Sequence, residues 1–303
     1  MDKILKYFSE GIRNELRTEN FSEIEEIRLR TSKPIIIKKS KGEIVKSYIV
    51  KTEDMMETLQ LLCDNSIYSY QNQICNGYIT INGGHRVGIA GTIIIEEGKV
   101  INMSYISSLN IRIAKQVIGC SDKLLSYLVT RQNSIFNTLI VSPPGEGKTT
   151  ILRDFVRNIS NLGKTVGVVD ERGEIAAMYR GTAQNDLGIR TDVIENIPKA
   201  IGMKMLIRSM SPQVIVADEI GNKGDTEAIQ YALCSGIKGV FTAHGNNIRE
   251  IECNPEIGKL LKEHMVEKIV FLKNKNIEEI YELSKESLKY KKTVLNLDKL
   301  HII

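Results

Sequence analysis

The sequence has few of the features that mark secreted, zinc-binding or membrane-spanning proteins. Its cysteines are scattered, and no two of them form a C-x-x-C pair, so neither a disulfide framework nor a zinc site is indicated. No apolar stretch approaches the ~20 residues that cross a bilayer, and the N-terminus lacks the apolar core and cleavage site of a signal peptide. We therefore expect a soluble cytosolic protein whose five cysteines are reduced: Cys63, Cys75, Cys120, Cys234 and Cys253.

A strong excess of one charge is also missing. The formal net charge is +4; residues 1–130 hold 17 basic and 15 acidic side chains, and the remainder holds 24 and 22. Because nucleic-acid-binding surfaces are usually strongly basic, we expect no direct nucleic-acid partner, although a patch formed only in the fold or in an oligomer stays open. With 303 residues, the chain has room for two domains.

The first part of the chain predicts a small α/β domain over residues 1–129. An amphipathic helix is expected within 1–20 and further helix over 53–72, because apolar residues recur there at helical spacing. Apolar runs separated by turn residues predict strands. These are paired strands at Glu26–Arg30 and Pro34–Lys38, glycine-punctuated strands through Ile95, and a short strand at Ile111–Ile113.

Residues 130–303 change to an alternation of strands and helices, which predicts a parallel sheet with helices covering it and a ligand site at the carboxyl ends of the strands. The predicted strands are Thr138–Val141, Thr165–Val169, Val214–Ala217, Gly239–Thr242 and Lys268–Leu272. The predicted helices span about 148–160, 198–210, 223–235 and 247–263.

A glycine-rich loop follows the first of these strands and nearly matches G-x-x-x-x-G-K-[ST]. In that phosphate loop, backbone N–H groups and the lysine bind phosphates, and the hydroxyl after the lysine ligates Mg²⁺. Ser142 replaces the first glycine, at the strand end, where a small residue fits. The alternative is an ordinary turn with a solvated lysine. The residues predicted to bind the nucleotide are Ser142, Pro143, Pro144, Gly145, Glu146, Gly147, Lys148, Thr149 and Thr150, with Thr149 also on the metal.

Acidic residues follow two other buried strands. Asp218 and Glu219 come directly after Val214–Ala217. An aspartate there can hold the Mg²⁺ shell, and the adjacent glutamate can orient and deprotonate the attacking water. The alternative is a strand that ends in two solvated acids. The run 170–174 repeats the pattern; its Asp170, Glu171 and Glu174 either face the same pocket or form ion pairs with Arg172 or Arg190.

Histidine provides the last candidate. Thr242-Ala-His244-Gly follows a further strand, so His244 is expected beside the pocket, where it can contact the γ-phosphate. The competing interpretation is a structural histidine.

The order of these motifs resembles the ATPases of type II and type IV secretion and pilus systems, which have a phosphate loop, an acidic box, a Walker B carboxylate and a histidine box in that sequence. Within that superfamily, the runs 185–192 and 198–212 look like the stage III sporulation protein AA family. The resemblance is strong over 138–246 and looser over the N-terminal domain. The chain departs from many secretion ATPases at Ser142, after Glu219, where Ile-Gly-Asn replaces an Arg-Asp pair, and in lacking a cysteine-rich zinc insert.

The resemblance implies a RecA-like P-loop NTPase domain with helices on both faces of its sheet, preceded by a smaller α/β domain. It implies ATP and Mg²⁺ as cofactors and a homo-hexamer in the mother-cell cytoplasm. Membrane proteins of an export-like complex would hold that hexamer at the membrane during endospore formation. It also implies that arginines of the N-terminal domain reach the nucleotide. Arg86 and Arg112 match that pattern, with Arg190 and Arg208 as lesser candidates, although each can be an ordinary strand-edge arginine.

The favoured hypothesis is an ATPase in which Lys148 holds the phosphates, Thr149 and Asp218 serve Mg²⁺, and Glu219 activates water. Two alternatives remain. One is a nucleotide-gated assembly platform with little turnover, and the other is a nucleic-acid-stimulated translocase on the same core.

Overall fold

The protein is described by a computed structural model that covers residues 3–284 and 286–293. The chain divides into two compact units. Unit 1 comprises the residues up to Lys115 together with Ala177–Gln184, and unit 2 comprises Gln116–Ala176 and the residues from Asn185 onward.

Unit 1 is an antiparallel sheet packed against helices. Its core holds apolar side chains of both, among them Phe8 and Ile12 from the helical segment and Ile27, Leu29 and Ile37 from the strands. Every neighbouring pair of strands in the order β3-β2-β1-β6-β5-β4 is antiparallel. The strands are β1 Ile24–Arg30, β2 Pro34–Lys39, β3 Gly42–Ile49, β4 Tyr78–Ile81, β5 His85–Glu96 and β6 Lys99–Arg112. The helices are α1 Glu10–Leu16, α2 Thr52–Leu62 and α3 Gln71–Cys75, with 3-10 turns at Lys3–Tyr7 and Ile67–Tyr70.

Unit 2 contains an eight-stranded sheet in the order β14-β13-β12-β7-β11-β10-β8-β9, parallel from β12 to β9 and antiparallel at the other edge. The strands are β7 Thr138–Ser142, β8 Val166–Asp170, β9 Thr191–Glu195, β10 Val214–Ala217, β11 Lys238–His244, β12 Lys268–Lys273, β13 Asn276–Leu283 and β14 Tyr290–Thr293. The helices are α4 Asp122–Leu128, α5 Lys148–Asn161, α6 Lys199–Met210, α7 Lys223–Cys234, α8 Ile248–Cys253 and α9 Pro255–Lys262.

Helices cover both faces of this sheet. Leu139 and Val141 of β7 belong to a core shared with α6, α7 and α9. Because successive strand residues point to opposite faces, the buried Ile140 faces the other side, where α5 packs against β7, β8 and β11. The sheet is thus buried on both sides, which explains the continuous apolar runs of its central strands.

The predicted strands and helices of this half are present, with four differences, one of which is the unpredicted helix α4. Strand β9 and the hairpin β13–β14 were not predicted, because their sequences are mostly polar. The helix expected over 247–263 is two helices, since Asn254 caps a new helix that begins at Pro255.

The first half shows similar differences. The helix expected within 1–20 is a 3-10 turn and the short helix α1, separated at the buried Ser9, which hydrogen-bonds to Asp54 and Thr58. The short strand expected at Ile111–Ile113 is the end of the long strand β6.

Unit 1 gives way to unit 2 at 115/116, and the domain boundary at 129/130 stays a prediction. Helix α4 belongs to unit 2 because the residues at its start bond to α5: Ser121 donates to Asp154, and Asn158 donates to Asp122. A short stretch between β8 and β9 belongs instead to unit 1, where Asp64 accepts hydrogen bonds from Tyr179 at 2.5 Å and Arg180 at 2.9 Å.

Candidate nucleotide-binding site

The glycine-rich loop connects β7 to α5 and begins at the buried end of a central strand. Gly145 and Gly147 have φ of 82° and 86°, in the left-handed region that side chains other than glycine disfavour. Gly147 is also the N-cap residue directly before α5, so the loop leads into a helix N-terminus, which favours anions. The backbone therefore has the form of a phosphate-binding loop.

Lys148 lies folded over this loop and is only 5% exposed. Its Nζ donates to the carbonyl oxygens of Ser142 at 2.7 Å and Pro143 at 2.9 Å. Burial lowers the pKa of Lys148, and the nearby Asp218, Glu219 and Glu146 oppose that shift. The ammonium thus stands at the mouth of the loop, with carboxylates close by to keep it charged.

Ser142, which replaces the expected first glycine, is fully buried at the end of β7. Its hydroxyl accepts from Lys148 Nζ at 3.2 Å and donates to the carbonyl of Pro143 at 2.9 Å. On the other side of the loop, Glu146 Oε2 accepts the backbone N–H of Lys275, in the β12–β13 turn, at 3.1 Å. Both side chains fix the loop.

The carboxylate of Asp218 is held between two hydroxyls at the tips of neighbouring elements. Thr149, in the first turn of α5, donates to Asp218 Oδ2 at 2.5 Å, and Thr242 of β11 donates to Oδ1. Thr242 Oγ1 also accepts the backbone N–H of Glu219 at 2.7 Å. The structure therefore brings Lys148, Thr149 and Asp218 to one edge of the sheet, as the sequence predicts.

Glu219 is paired on both carboxylate oxygens. Oε1 lies 3.2 Å from His244 Nε2, and Oε2 contacts the guanidinium of Arg172. His244 Nδ1 lies 3.2 Å from Lys148 Nζ. Because an ammonium only donates, Nδ1 is the acceptor and Nε2 carries the proton that His244 donates to Glu219. His244 thereby links the loop lysine to the glutamate.

The three acids of the 170–174 run have different surroundings. Asp170 is 2% exposed and accepts three backbone N–H groups, from Glu174 at 2.8 Å, Ile175 at 3.0 Å and Ala176 at 2.8 Å. Burial raises the pKa of Asp170, and these three bonds oppose the shift. Glu171 pairs with Lys199 of α6, and the carbonyl of Glu174 accepts from Arg153 at 2.6 Å. The Asp170 carboxylate therefore holds the loop after β8 by accepting hydrogen bonds from the backbone of that loop.

Two residues that the sequence did not single out also lie at this edge. Arg153, on α5, is mostly buried and feels the negative charges of Asp170, Asp218 and Glu174, which offset a lowering of its pKa by burial. Glu195, at the end of β9, is the register partner of Asp170; burial first, and then the charge of Asp170, raise its pKa to about 7. In the sequence, only their positions could have pointed to this edge: Arg153 follows Lys148 by five residues, and Glu195 ends a strand.

The candidate arginines belong to both units. Arg86 and Arg112 belong to unit 1, where they are directly opposite on β5 and β6. The Arg86 guanidinium also lies 3.7 Å from the centre of the Tyr78 ring. Arg208 is exposed in the last turn of α6, and the backbone N–H of Arg190 donates to Ser160.

Comparison with known proteins decides the family. Residues 1–286 match the family model described as sporulation stage III, protein AA. The chain belongs to this family. It is 41% identical over 281 residues to stage III sporulation protein AA of Bacillus subtilis (strain 168), a match that covers 90% of this chain and 91% of that protein. It is also 28% identical over 156 residues to protein SEEDLING PLASTID DEVELOPMENT 1 of Arabidopsis thaliana, which covers 50% of this chain and 22% of that protein.

Solved structures of secretion and pilus ATPases have the same fold. The ATPase DotB of Legionella pneumophila matches with a TM-score of 0.57 at 14% identity, covering 87% of this chain and 78% of that one. The pilus retraction motor PilT, solved with ADP, matches with a TM-score of 0.56 at 16% identity, covering 89% and 78%. These likenesses confirm the predicted fold class, an N-terminal α/β domain followed by a RecA-like P-loop domain.

Proposed function

We propose that this sporulation stage III AA family member binds ATP with Mg²⁺ and hydrolyses it. The observation that carries the proposal is the convergence of Lys148, Thr149, Asp218 and Glu219 beyond the carboxyl ends of β7 and β10, the two strands that flank β11 in the parallel sheet. Two left-handed glycines at a helix N-terminus lie beside them. Few other ligands need a buried ammonium, a glycine-rich loop at a helix N-terminus and paired carboxylates in one place.

The residues suit a magnesium–nucleotide substrate better than a resident metal. Among residues 3–284 and 286–293, no cluster of three or more His, Cys, Asp or Glu side chains could hold a metal ion. Mg²⁺ in phosphoryl-transfer sites takes only one or two protein oxygens and completes its shell with phosphate and water. The Thr149 hydroxyl and the Asp218 carboxylate, 2.5 Å apart, are a matching pair of oxygens. When bound, the ion would neutralise charge on the phosphates.

The remaining roles follow from position. Lys148 would exchange the carbonyls of Ser142 and Pro143 for phosphate oxygens, which are stronger acceptors. Glu219, which follows Asp218, would orient the attacking water once one of its oxygens is free. His244, which touches both Lys148 and Glu219, would transmit the arrival of the γ-phosphate from one to the other. Asp170 would act by holding the loop.

The finer features of the family resemblance are part of the same proposal. A homo-hexamer in the mother-cell cytoplasm, acting on membrane proteins of an export-like complex, fits the family's sporulation assignment. Within the described residues, every helix is too short or too polar to cross a bilayer. Membrane association through partners is part of the same proposal. Arg86 and Arg112 face each other on adjacent strands although like charges there are unfavourable. Arg112 is also the register partner of Glu26 on β1, which offsets that repulsion. Both arginines are proposed to act at the nucleotide of the hexamer.

The decisive experiment compares wild type, Glu219→Gln and Lys148→Ala in steady-state phosphate release and in binding of a fluorescent ATP analogue with Mg²⁺. We expect Glu219→Gln to bind nucleotide normally and to lose at least ~100-fold in turnover, because removal of a general base typically costs that much. Lys148→Ala should lose binding. Glu227→Gln, an exposed residue of α7 that pairs only weakly with Lys223, is the control for a charge removed elsewhere.

One alternative function is also compatible with the structure, and the same experiment tests it. Because both oxygens of Glu219 are already paired, a slow, nucleotide-gated assembly platform is compatible with the site. In that case the wild type binds nucleotide, and Glu219→Gln leaves its slow turnover unchanged. Turnover equal in the two proteins would refute the ATPase proposal. Stimulation of phosphate release by DNA or RNA would instead favour a translocase.

A further inference from the structure

Arg172 lies in the turn between Asp170 and the segment that the Asp170 carboxylate holds. The turn is closed by the backbone N–H of Gly173, which donates to the carbonyl of Asp170 at 3.3 Å, and Gly173 has φ of 66°. The three N–H bonds to Asp170 then fix residues 174–176. The backbone of Arg172 is therefore anchored on both sides, while its side chain, 62% exposed, extends across the edge of the sheet to Glu219.

Glu219 is held in an unfavourable backbone conformation. Its φ is +51°, in the left-handed region, which is unfavourable for a residue with a Cβ. Three contacts hold it there: Thr242 accepts its N–H at 2.7 Å, His244 contacts Oε1, and Arg172 contacts Oε2. Two of these partners belong to the core of the site, whereas Arg172 comes from a neighbouring loop and is open to solvent.

The double pairing has a chemical consequence for the proposed reaction. A carboxylate that orients and deprotonates water must present an oxygen that is not already neutralised by a cation. In Glu219, Oε2 is occupied by a guanidinium and Oε1 by a ring N–H. The conformation in which Arg172 is paired is therefore one in which Glu219 is withdrawn from catalysis.

We infer that Arg172 is a positioning residue that restrains Glu219 and so limits the basal rate of hydrolysis; this inference rests on the proposed ATPase function. Arg172 acts through Glu219 and not on the nucleotide. An anion that captures the guanidinium, such as a carboxylate of a neighbouring chain or partner, would release Glu219 and raise the turnover. The contact would thus let an assembled complex hydrolyse faster than the isolated chain.

The expected change in kcat follows from the solvent exposure of the Arg172–Glu219 ion pair. Exposed ion pairs contribute about 0.2–1 kcal/mol, which corresponds to roughly 1.4- to 5-fold in the fraction of Glu219 that is free. Arg172→Gln should therefore raise kcat of the isolated chain by about 1.4- to 5-fold, with KM for ATP unchanged. Arg172→Lys keeps the charge and should stay within a factor of ~2 of wild type.

Arg180→Gln is a matched control, since Arg180 is 65% exposed and also pairs with a single carboxylate, Asp64 of unit 1. It should leave kcat unchanged. The double variant Arg172→Gln/Glu219→Gln should be as slow as Glu219→Gln, because the gain depends on the glutamate. Urea unfolding of Arg172→Gln checks that the change is not a general loss of stability.

Unchanged or lower kcat in Arg172→Gln, or an equal rise in Arg180→Gln, would overturn the inference. If the wild type shows no measurable turnover, Arg172→Gln must show turnover that the double variant lacks. The absence of turnover in Arg172→Gln would also overturn the inference. The two proposals fail separately: a wild-type rate that depends on Glu219 keeps the ATPase function standing whatever Arg172 does.

Discussion

Replacing Asp170 by alanine should destabilise unit 2 substantially, although Asp170 need not touch a substrate. Its carboxylate accepts three backbone N–H groups at 2.8, 3.0 and 2.8 Å and is almost fully buried. Alanine leaves these donors without their acceptor. An unsatisfied buried donor costs about 1–3 kcal/mol, so three such donors set a large upper bound on the loss in free energy of unfolding.

Two effects reduce that bound. Burial raises the pKa of Asp170, which shows that its charge is itself costly in this position, and alanine removes the cost. Glu174, one of the three donors, is also not fully buried, so water can reach that part of the loop. We therefore expect Asp170→Ala to lower the free energy of unfolding by about 2–4 kcal/mol.

Urea denaturation followed by circular dichroism, extrapolated linearly to water, measures this change. Glu227→Ala on the exposed face of α7 should change the same quantity by less than ~0.5 kcal/mol, because exposed i,i+4 pairs contribute little. Asp170→Asn should lie between alanine and wild type, since it keeps one acceptor oxygen. A loss below ~1 kcal/mol in Asp170→Ala would refute the view that this carboxylate holds the loop.

Two further predictions concern neighbouring residues. The folded-state pKa of Glu195, about 7, lies above its ordinary value of 4.5. Between these two values the folded protein keeps a proton that the unfolded chain has released, so the free energy of unfolding should fall as the pH rises from about 4.5 to 7. Glu195→Gln should remove at most ~3 kcal/mol of this pH dependence, and identical urea midpoints in the two proteins at every pH would contradict the prediction. Gly147→Ala should keep the fold, because the new Cβ meets only Lys275 Cγ at 3.8 Å. Its φ of +86° should nevertheless cost about 1–2 kcal/mol and weaken ATP-analogue binding in a fluorescence titration; unchanged affinity would count against the loop geometry.

Much of unit 2 was predictable because its strands are buried on both faces. Such strands are continuous apolar runs, and Val214–Ala217 has the bounds that the sequence predicted. Polar residues that follow these runs therefore lie at the carboxyl edge of the sheet, which is how the sequence singled out Lys148, Asp218 and His244. Strand β9 has no such run, and so neither the strand nor Glu195 at its end was predicted.

The division of roles among the acids was not predictable from the pattern. Asp170 and Asp218 occupy equivalent places, each at or directly after the end of a buried strand. Only the tertiary structure shows that three N–H groups of its own loop surround Asp170, whereas hydroxyls of Thr149 and Thr242 meet Asp218. A linear sequence carries no information on which way an acid turns at the end of its strand.

The sequence by itself determined the fold class, the phosphate loop and the order of the motifs, because apolar periodicity and glycine at left-handed positions are local properties of the chain. Only the tertiary structure decided that Arg172 reaches Glu219 and that residues 177–184 belong to unit 1. These contacts join segments that are far apart in sequence, and their geometry depends on the strand order and on how each loop closes.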